Sequence, residues 1–206
     1  MRILLGGAGI GSIIAECALR FGFENITIVD GDKVEESNLN RQNYVHSDIG
    51  KYKAEALSKR LLKINPKAEI SFFNTFINKT NVEEIVFGHH IAINALDFKD
   101  DTPLVFDQVC SDKKIPVLHP YNFGWAGFLT IVKPKGYQLS EISKDFNGFE
   151  LKVAEFCVKV RYVLEYARLL AGRCYRQVPY RRRHITPSAI VRCFMDCGRA
   201  LCQCHV

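Results

Sequence analysis

Two groups of residues in this chain have the types and spacing to do chemistry. The first is Gly6-Gly7-Ala8-Gly9-Ile10-Gly11-Ser12. Glycines let a chain turn tightly and let a ligand approach backbone amides. A helix that follows presents unpaired N–H groups and a positive dipole end to phosphate. The second runs Asp30-Gly31-Asp32-Lys33-Val34-Glu35-Glu36-Ser37-Asn38-Leu39-Asn40-Arg41-Gln42 and resumes at Gly50-Lys51-Tyr52-Lys53. Asp30 stands about 20 residues after the turn, where an acid can accept both hydroxyl protons of a ribose. On the turn and Asp30 alone, NAD and ATP fit equally. Read from Gly7 the turn is a dinucleotide fingerprint with Ser12 at its last glycine position, and read from Gly6 it has Ala8 at its middle one.

The segment after Asp30 favours ATP. A pyrophosphate is largely satisfied by a helix end, whereas a third phosphate adds charge that calls for further cations. Arg41 offers a planar fork of donors and Lys53 a compact point charge at the start of a helix. A lysine in a first turn opposes the helix dipole, a small cost that bound phosphate reverses.

The elements that must position these groups follow from periodicity. Arg2–Leu5 is a short apolar run, and from Ile13 apolar residues recur at helical spacing (Ile14, Ala15, Ala18, Leu19, Phe21) until Gly22. Asn25–Val29 reads as a second strand, so the unit is strand, glycine turn, helix, strand, the crossover that parallel strands require. Residues 31–50 are polar and too long for a simple connection. A helix is predicted from Lys51 to Asn65, a third strand at Ala68–Phe73 and a short helix at Val82–Val86. A fourth strand follows at His90–Leu96 with Asp97 after it. Then come a helix over Asp101 to Lys113 and strands at Val117–His119 and Phe128–Val132. The fold class is α/β, a Rossmann-like and mostly parallel sheet with helices on both faces, plus a C-terminal helical extension. We divide the chain into residues 1–135, a nucleotide-binding domain, and 136–206. The second part comprises a polar linker (Gly136 to Gly148), a helix over 149–170 and a tail. That helix carries an apolar stripe of Val153, Phe156, Val160, Val163, Leu164 and Ala167, which reads as core or dimer packing.

In order along the chain stand a glycine turn, Asp30-x-Asp32, Ser37-Asn38-Leu39-Asn40-Arg41-Gln42, Gly50-x-x-Lys53, Asn65-Pro66, Asp97 and Gly127. Over roughly residues 3–134 this set resembles the ThiF/MoeB/HesA family, which includes the adenylation domains of enzymes that activate ubiquitin and its relatives. The resemblance implies that ATP and the C-terminal tail of a small ubiquitin-like or sulfur-carrier protein are bound together. The tail's carboxylate attacks the α-phosphate, giving an acyl-adenylate and pyrophosphate. It further implies that Gly7, Gly9 and Gly11 bind the nucleotide, that Asp30 holds the ribose with Asp32 also among the nucleotide-binding residues, and that Asn38, Arg41 and Lys53 bind the phosphates. Gln42 supports that group and Asp97 holds Mg²⁺. Phosphoryl chemistry of this kind needs positioning and charge neutralisation more than covalent help.

The sequence also departs from the family pattern. Ala8 stands at a usual glycine, where its methyl is expected to crowd the phosphate-facing loop. Asp97 is followed by Phe98-Lys99-Asp100-Asp101 instead of the family's asparagine and arginine. An arginine-bearing segment that usually precedes the first strand is not seen before Arg2. The alternative is therefore a non-catalytic nucleotide- or carrier-binding subunit, or an enzyme whose partner supplies the cation. An NAD oxidoreductase lacks any hydride-transfer constellation.

Composition bounds the setting. No run approaches the roughly 18 apolar residues of a membrane span, and the start has no signal-peptide organisation, so a cytoplasmic protein is expected. Net charge is +6, yet residues 168–206 hold eight arginines against Asp196 alone, leaving the remainder nearly neutral. The basic stretch Arg173 to His184 is expected to be solvated or to meet an acidic carrier, nucleic acid being the lesser reading in the absence of a reader motif. Cys17, Cys110 and Cys157 read as reduced, buried thiols. Cys193, Cys197, Cys202, Cys204 and His205 crowd the tail without the spacing of a zinc knuckle, and a helix from Pro187 through Ala200 would put Cys193 and Cys197 on one face. A homodimer is expected to cover the helix over 149–170.

Overall fold

Short apolar strands, each feeding a turn and then an amphipathic helix, assemble one sheet. In the computed structural model, which describes residues 1–122, 127–143 and 145–160, the strands are β1 (Arg2–Gly6), β2 (Asn25–Val29), β3 (Glu69–Phe73), β4 (Ile91–Asn94), β5 (Val117–Asn122) and β6 (Gly127–Val132). Their spatial order is β3-β2-β1-β4-β5-β6. The first five are parallel, and β6 runs antiparallel to β5 with Asn122 opposite Gly127. The helices are α1 (Gly11–Arg20), α2 (Lys53–Ile64), α3 (Val82–Val86) and α4 (Thr102–Asp112), with α5 over residues 149–160. The strand order reverses direction between β1 and β4, the switch point where open α/β sheets bind ligands.

Both faces of the central strands are covered, as parallel sheets require. On one face Ile3 and Leu5 of β1 and Ile26 and Ile28 of β2 pack with Ala15, Leu19, Leu57 and Leu61 of α1 and α2. On the other, Leu4, Val29 and Ala92 pack with Val82, Val86, Phe106 and Cys110 of α3 and α4, and with Phe149 and Val153 of α5. Each fully buried Val, Leu, Ile or Phe among them stabilises the fold by about 1.5–3 kcal/mol. Within residues 149–160, then, the apolar stripe finds cover in its own chain, where Phe149 stacks on Phe98 and Phe156 on Tyr137.

Several boundaries shift for local reasons. β4 stops at Asn94 because only one further amide stays in the ladder. Ala95 N donates to Gly6 O, and Leu96 N donates to the Asn94 side chain. β5 runs on to Asn122 because β6 supplies a partner for its second half. α4 opens with Pro103 in its first turn, where a missing N–H costs nothing. The polar stretch 31–50 contains two 3₁₀ turns, Glu36–Asn38 and His46–Asp48. Cys110 is buried as expected and Cys157 is half-buried, but Cys17 is exposed on the outer side of α1. Among the described residues no helix is long and apolar enough to cross a membrane. The expectations for the helix beyond residue 160, for the basic stretch, for the Pro187–Ala200 helix and for the tail cysteines lie outside the described residues.

Candidate functional site

The glycine turn joins β1 to α1 and faces the switch point. Gly7 takes φ +90°, and a Cβ there would lie 2.3 Å from Ala95 O, so the turn and the β4 exit touch backbone to backbone. A Cβ at Gly11 would lie 2.7 Å from Leu5 Cδ1, which is the close helix–strand approach of a dinucleotide-type turn. Gly9 lies open toward the Gln42 amide. Ala8 is wholly buried in the α1/α2 core. Its methyl points inward, so the expected crowding of the phosphate loop does not occur.

Asp30 braces this turn. Its Oδ2 accepts the Ala8 N–H at 2.6 Å and its Oδ1 accepts the Asp32 N–H at 2.7 Å. Burial raises its carboxyl above the usual range, with the Ala8 and Asp32 amides and the Lys53 charge pulling the other way. The Ala8 peptide is held on its other side as well. The Tyr44 hydroxyl donates to Ala8 O at 2.7 Å and approaches Lys53 O at 3.4 Å. Burial, then the Asp30 and Asp48 carboxylates, push the Tyr44 phenol far up, so it stays a donor.

Strand-like backbone bonds carry the second group into place. Val34 N donates to Lys51 O, Gly50 N to Val34 O and Lys53 N to Asp32 O. They bring Lys53, the first residue of α2, beside Asp30. Its side chain is only 10% exposed, and Nζ pairs with Asp32 Oδ2 at 3.0 Å. Asn38 is buried and its Oδ1 accepts the Glu35 N–H, closing the first 3₁₀ turn. Arg41 is exposed. Its Nη1 donates to Ser37 O and Asn40 Oδ1, and no carboxylate pairs with it among the described residues. Gln42 rests against Gly9, and its buried Oε1 has no partner among the described residues. The Ser12 hydroxyl donates to Gly9 O and accepts the Asn43 N–H, stitching segment 42–44 to the turn. Glu16 clamps the same segment. Asn43, Arg60 and Arg20 all donate to it, and the first two dominate in lowering its carboxyl to about 2.

Asp97 lies three residues beyond β4, exposed, with Lys99 Nζ at 3.4 Å. It lines a pocket of about 160 Å³ at the switch point with Ile10, Leu96, His119, Tyr121 and Glu150. A larger hollow of about 360 Å³, among Met1, Phe23, Lys67 and Glu69, sits at the other end of the strands, away from the turn. We place the ligand end of the sheet at the smaller pocket, on the switch-point rule. The glycine turn, Asp30, Asp32, Lys53 and Gln42 are thus one connected unit, with Arg41 on its rim and Asp97 across the switch point.

Sequence reasoning missed the roles of four residues. Tyr44, Glu16 and Ser12 act as struts, and only their distant partners reveal it. Phe76 packs its ring over Gly31, where a Cβ would lie 2.6 Å from the ring, and it remains 60% exposed beside Asp30. Cys110 is wholly buried in the core and burial pushes its thiol far up, as expected of a packing residue. No group of three or more metal-ligating side chains forms among the described residues.

Known proteins resemble this chain in sequence and fold. The sequence profile of the ThiF family matches residues 1–184. The SAMP-activating enzyme E1 of Haloferax volcanii is 30% identical over 136 residues, 65% of this chain and 50% of that protein. The tRNA threonylcarbamoyladenosine dehydratase of Haemophilus influenzae is 32% identical over 164 residues, 78% of this chain and 58% of that protein. This chain therefore spans between half and three fifths of the length of these curated relatives. The crystal structure of the Escherichia coli tRNA N6-threonylcarbamoyladenosine dehydratase in complex with ATP superposes with a TM-score of 0.55 at 30% identity, over 57% of this chain and 49% of that one. With its glycine turn, its Asp30–Lys53 segment and this match over most of its length, the chain belongs to the ThiF family.

Proposed function

We propose that this chain uses ATP to activate the C-terminal carboxylate of a small ubiquitin-like or sulfur-carrier protein as an acyl-adenylate. The observation that carries the reading is Lys53, a cation buried at the first turn of α2 against Asp32 and next to Asp30. Burying an ammonium against the helix dipole is costly, and a polyphosphate delivered to that spot offsets the cost. An NAD site has no use for a second cation there.

The residues fit ATP. Each Asp30 oxygen accepts one amide and keeps a further lone-pair direction for a ribose hydroxyl. The amides that follow Ala8 face the phosphates, and Lys53 exchanges Asp32 for a phosphate oxygen. Arg41 swings its unpaired guanidinium edge onto the polyphosphate from the rim. The orphaned Gln42 Oε1 beside Gly9 takes a donor when the site fills. Asp97 fits Mg²⁺, which keeps water and phosphate ligands and takes only one or two carboxylates. Bound there, the ion would neutralise charge on the phosphates. The carrier's carboxylate attacks the α-phosphorus, the bond to the bridging oxygen breaks, and pyrophosphate leaves with the electron pair.

ATP–pyrophosphate exchange in the presence of a carrier ending in Gly-Gly tests the reading. Carrier-dependent exchange is expected, with loss of exchange and at least tenfold weaker ATP binding in Arg41→Ala. ATP binding without exchange would leave a nucleotide-binding subunit. An Arg41→Ala protein with unchanged affinity and turnover would refute the phosphate role. A second reading has its own support, because the relative aligned over 78% of this chain is a tRNA threonylcarbamoyladenosine dehydratase. Exchange driven by modified tRNA and not by a carrier would favour it.

A further inference from the structure

The wall of the switch-point pocket includes part of a buried polar group that no step above uses. Asp107 of α4 and His119 of β5 have side chains 4% and 2% exposed, and His119 Nε2 lies 2.9 Å from Asp107 Oδ1. The approach lacks hydrogen-bond alignment, and neither His119 Nε2 nor Asp107 Oδ2 has a hydrogen-bond partner among the described residues. Asn94, at the end of β4, donates through Nδ2 to Asp107 Oδ1 at 3.0 Å and to Pro103 O at 2.9 Å. Through its Oδ1 the same side chain accepts the Leu96 N–H at 3.3 Å. Next to it, Ala95 N donates to Gly6 O, and Ala95 O abuts Gly7. A carboxylate buried between Phe106 and Cys110 is costly unless it is paired. Asp107 accepts a hydrogen bond from Asn94, and Asn94 shapes the turn that ends at Asp97.

We propose that Asp107 and His119 form a close buried pair that, through Asn94, positions the Ala95–Asp97 turn and hence the metal-bearing side of the nucleotide site. Asp107, His119 and Asn94 are positioning residues, and Asn94 and His119 also line the wall of the pocket. The metal part of this inference rests on the role proposed above for Asp97, while the positioning of the turn does not.

The test uses the full chain with Asp107→Asn, His119→Gln, the double variant and Asn94→Ala. Hydrogen exchange at Leu96 reports the turn without any ligand. Isothermal calorimetry of ATP with Mg²⁺ and with EDTA reports the metal side. Each single variant is expected to speed exchange at Leu96 by about tenfold while β1 amides hold, the change that loss of about 1.4 kcal/mol of local stability produces. The Mg²⁺-dependent gain in ATP affinity should fall by at least fivefold, with affinity in EDTA within twofold. The double variant should recover part of the loss, since coupled partners are not additive. Should a variant of the pair fail to fold, Asn94→Ala, which leaves the pair in place, must give the same selective pattern. Unchanged Leu96 exchange in folded variants, or equal losses with Mg²⁺ and EDTA, would overturn the proposal. A wild-type chain that binds no ATP would instead defeat the ATP reading, with the exchange data still deciding the positioning.

Discussion

Removing the Tyr44 hydroxyl alone, as Tyr44→Phe, isolates the strut that holds the phosphate turn. The ring stays and the buried area changes little, so the loss is one hydrogen bond. Its acceptor, Ala8 O, belongs to a residue with no exposed surface, and no other donor to it is found among the described residues. A buried carbonyl left without its partner costs about 1–3 kcal/mol. The second approach of the hydroxyl, 3.4 Å to Lys53 O, is too long to add much. For a chain of this size each kcal/mol lowers Tm by about 2–4 °C, so a drop of about 2–12 °C is expected. ATP must then reorder the turn as it binds, and affinity should fall by about threefold to tenfold, tenfold being about 1.4 kcal/mol. Circular-dichroism melting and calorimetry with ATP measure both. A Tm within 1 °C of wild type with unchanged affinity would refute the claim that the hydroxyl holds the turn.

Further outcomes follow from the same geometry. Gly7→Ala puts a methyl 2.3 Å from Ala95 O at φ +90° and should cost about 3 kcal/mol or more, read by urea unfolding. A loss below 1 kcal/mol would contradict the packed contact of the two turns. Glu16 titrates at about 2 in the fold, chiefly through Asn43 and Arg60. A depressed carboxyl contributes stability that is complete above its unfolded value and lost as pH falls. Glu16→Gln should therefore be less stable than wild type at pH 7, with the gap closing between about pH 5 and 2 in acid unfolding curves; a pH-independent gap would refute this. Phe76→Ala should weaken ATP binding by about fivefold or more, the scale of a base stacked on an aromatic ring, while Tm moves little because the ring is 60% exposed. Equal affinity would remove Phe76 from the site.

Much of the site could be read from residue order because its parts are local. A tight turn needs glycine where φ is positive, a helix needs apolar residues at 3.6 spacing, and an acid just past a strand end is visible as such. The turn, Asp30 and the starts of α1 and α2 belong to that class, and so does the alternation that buries both faces of β1. Lys53 could be named from its place in Gly50-x-x-Lys53, but not its burial. That depends on the backbone bonds between 32–34 and 50–53, which close a loop whose ends are distant in sequence.

Tertiary structure alone decided the direction of side chains that have more than one place to go. Ala8 could have faced phosphate or core, and the Asp30 and Tyr44 bonds on its two peptide groups turn the methyl inward. The β4 exit was read as strand to Leu96, yet the Asn94 side chain competes for the Leu96 amide and ends the ladder. Asp107 lies within the predicted helix over Asp101 to Lys113 and His119 ends the predicted strand from Val117, and only the packing of α4 against β5 makes them partners. The amino-acid sequence by itself determined the α/β order, the glycine turn and the charged segment, because backbone preference and periodicity act over a few residues. Which polar groups meet in the core is a pairwise matter across elements, and it is settled only when the sheet forms and excludes water from between them.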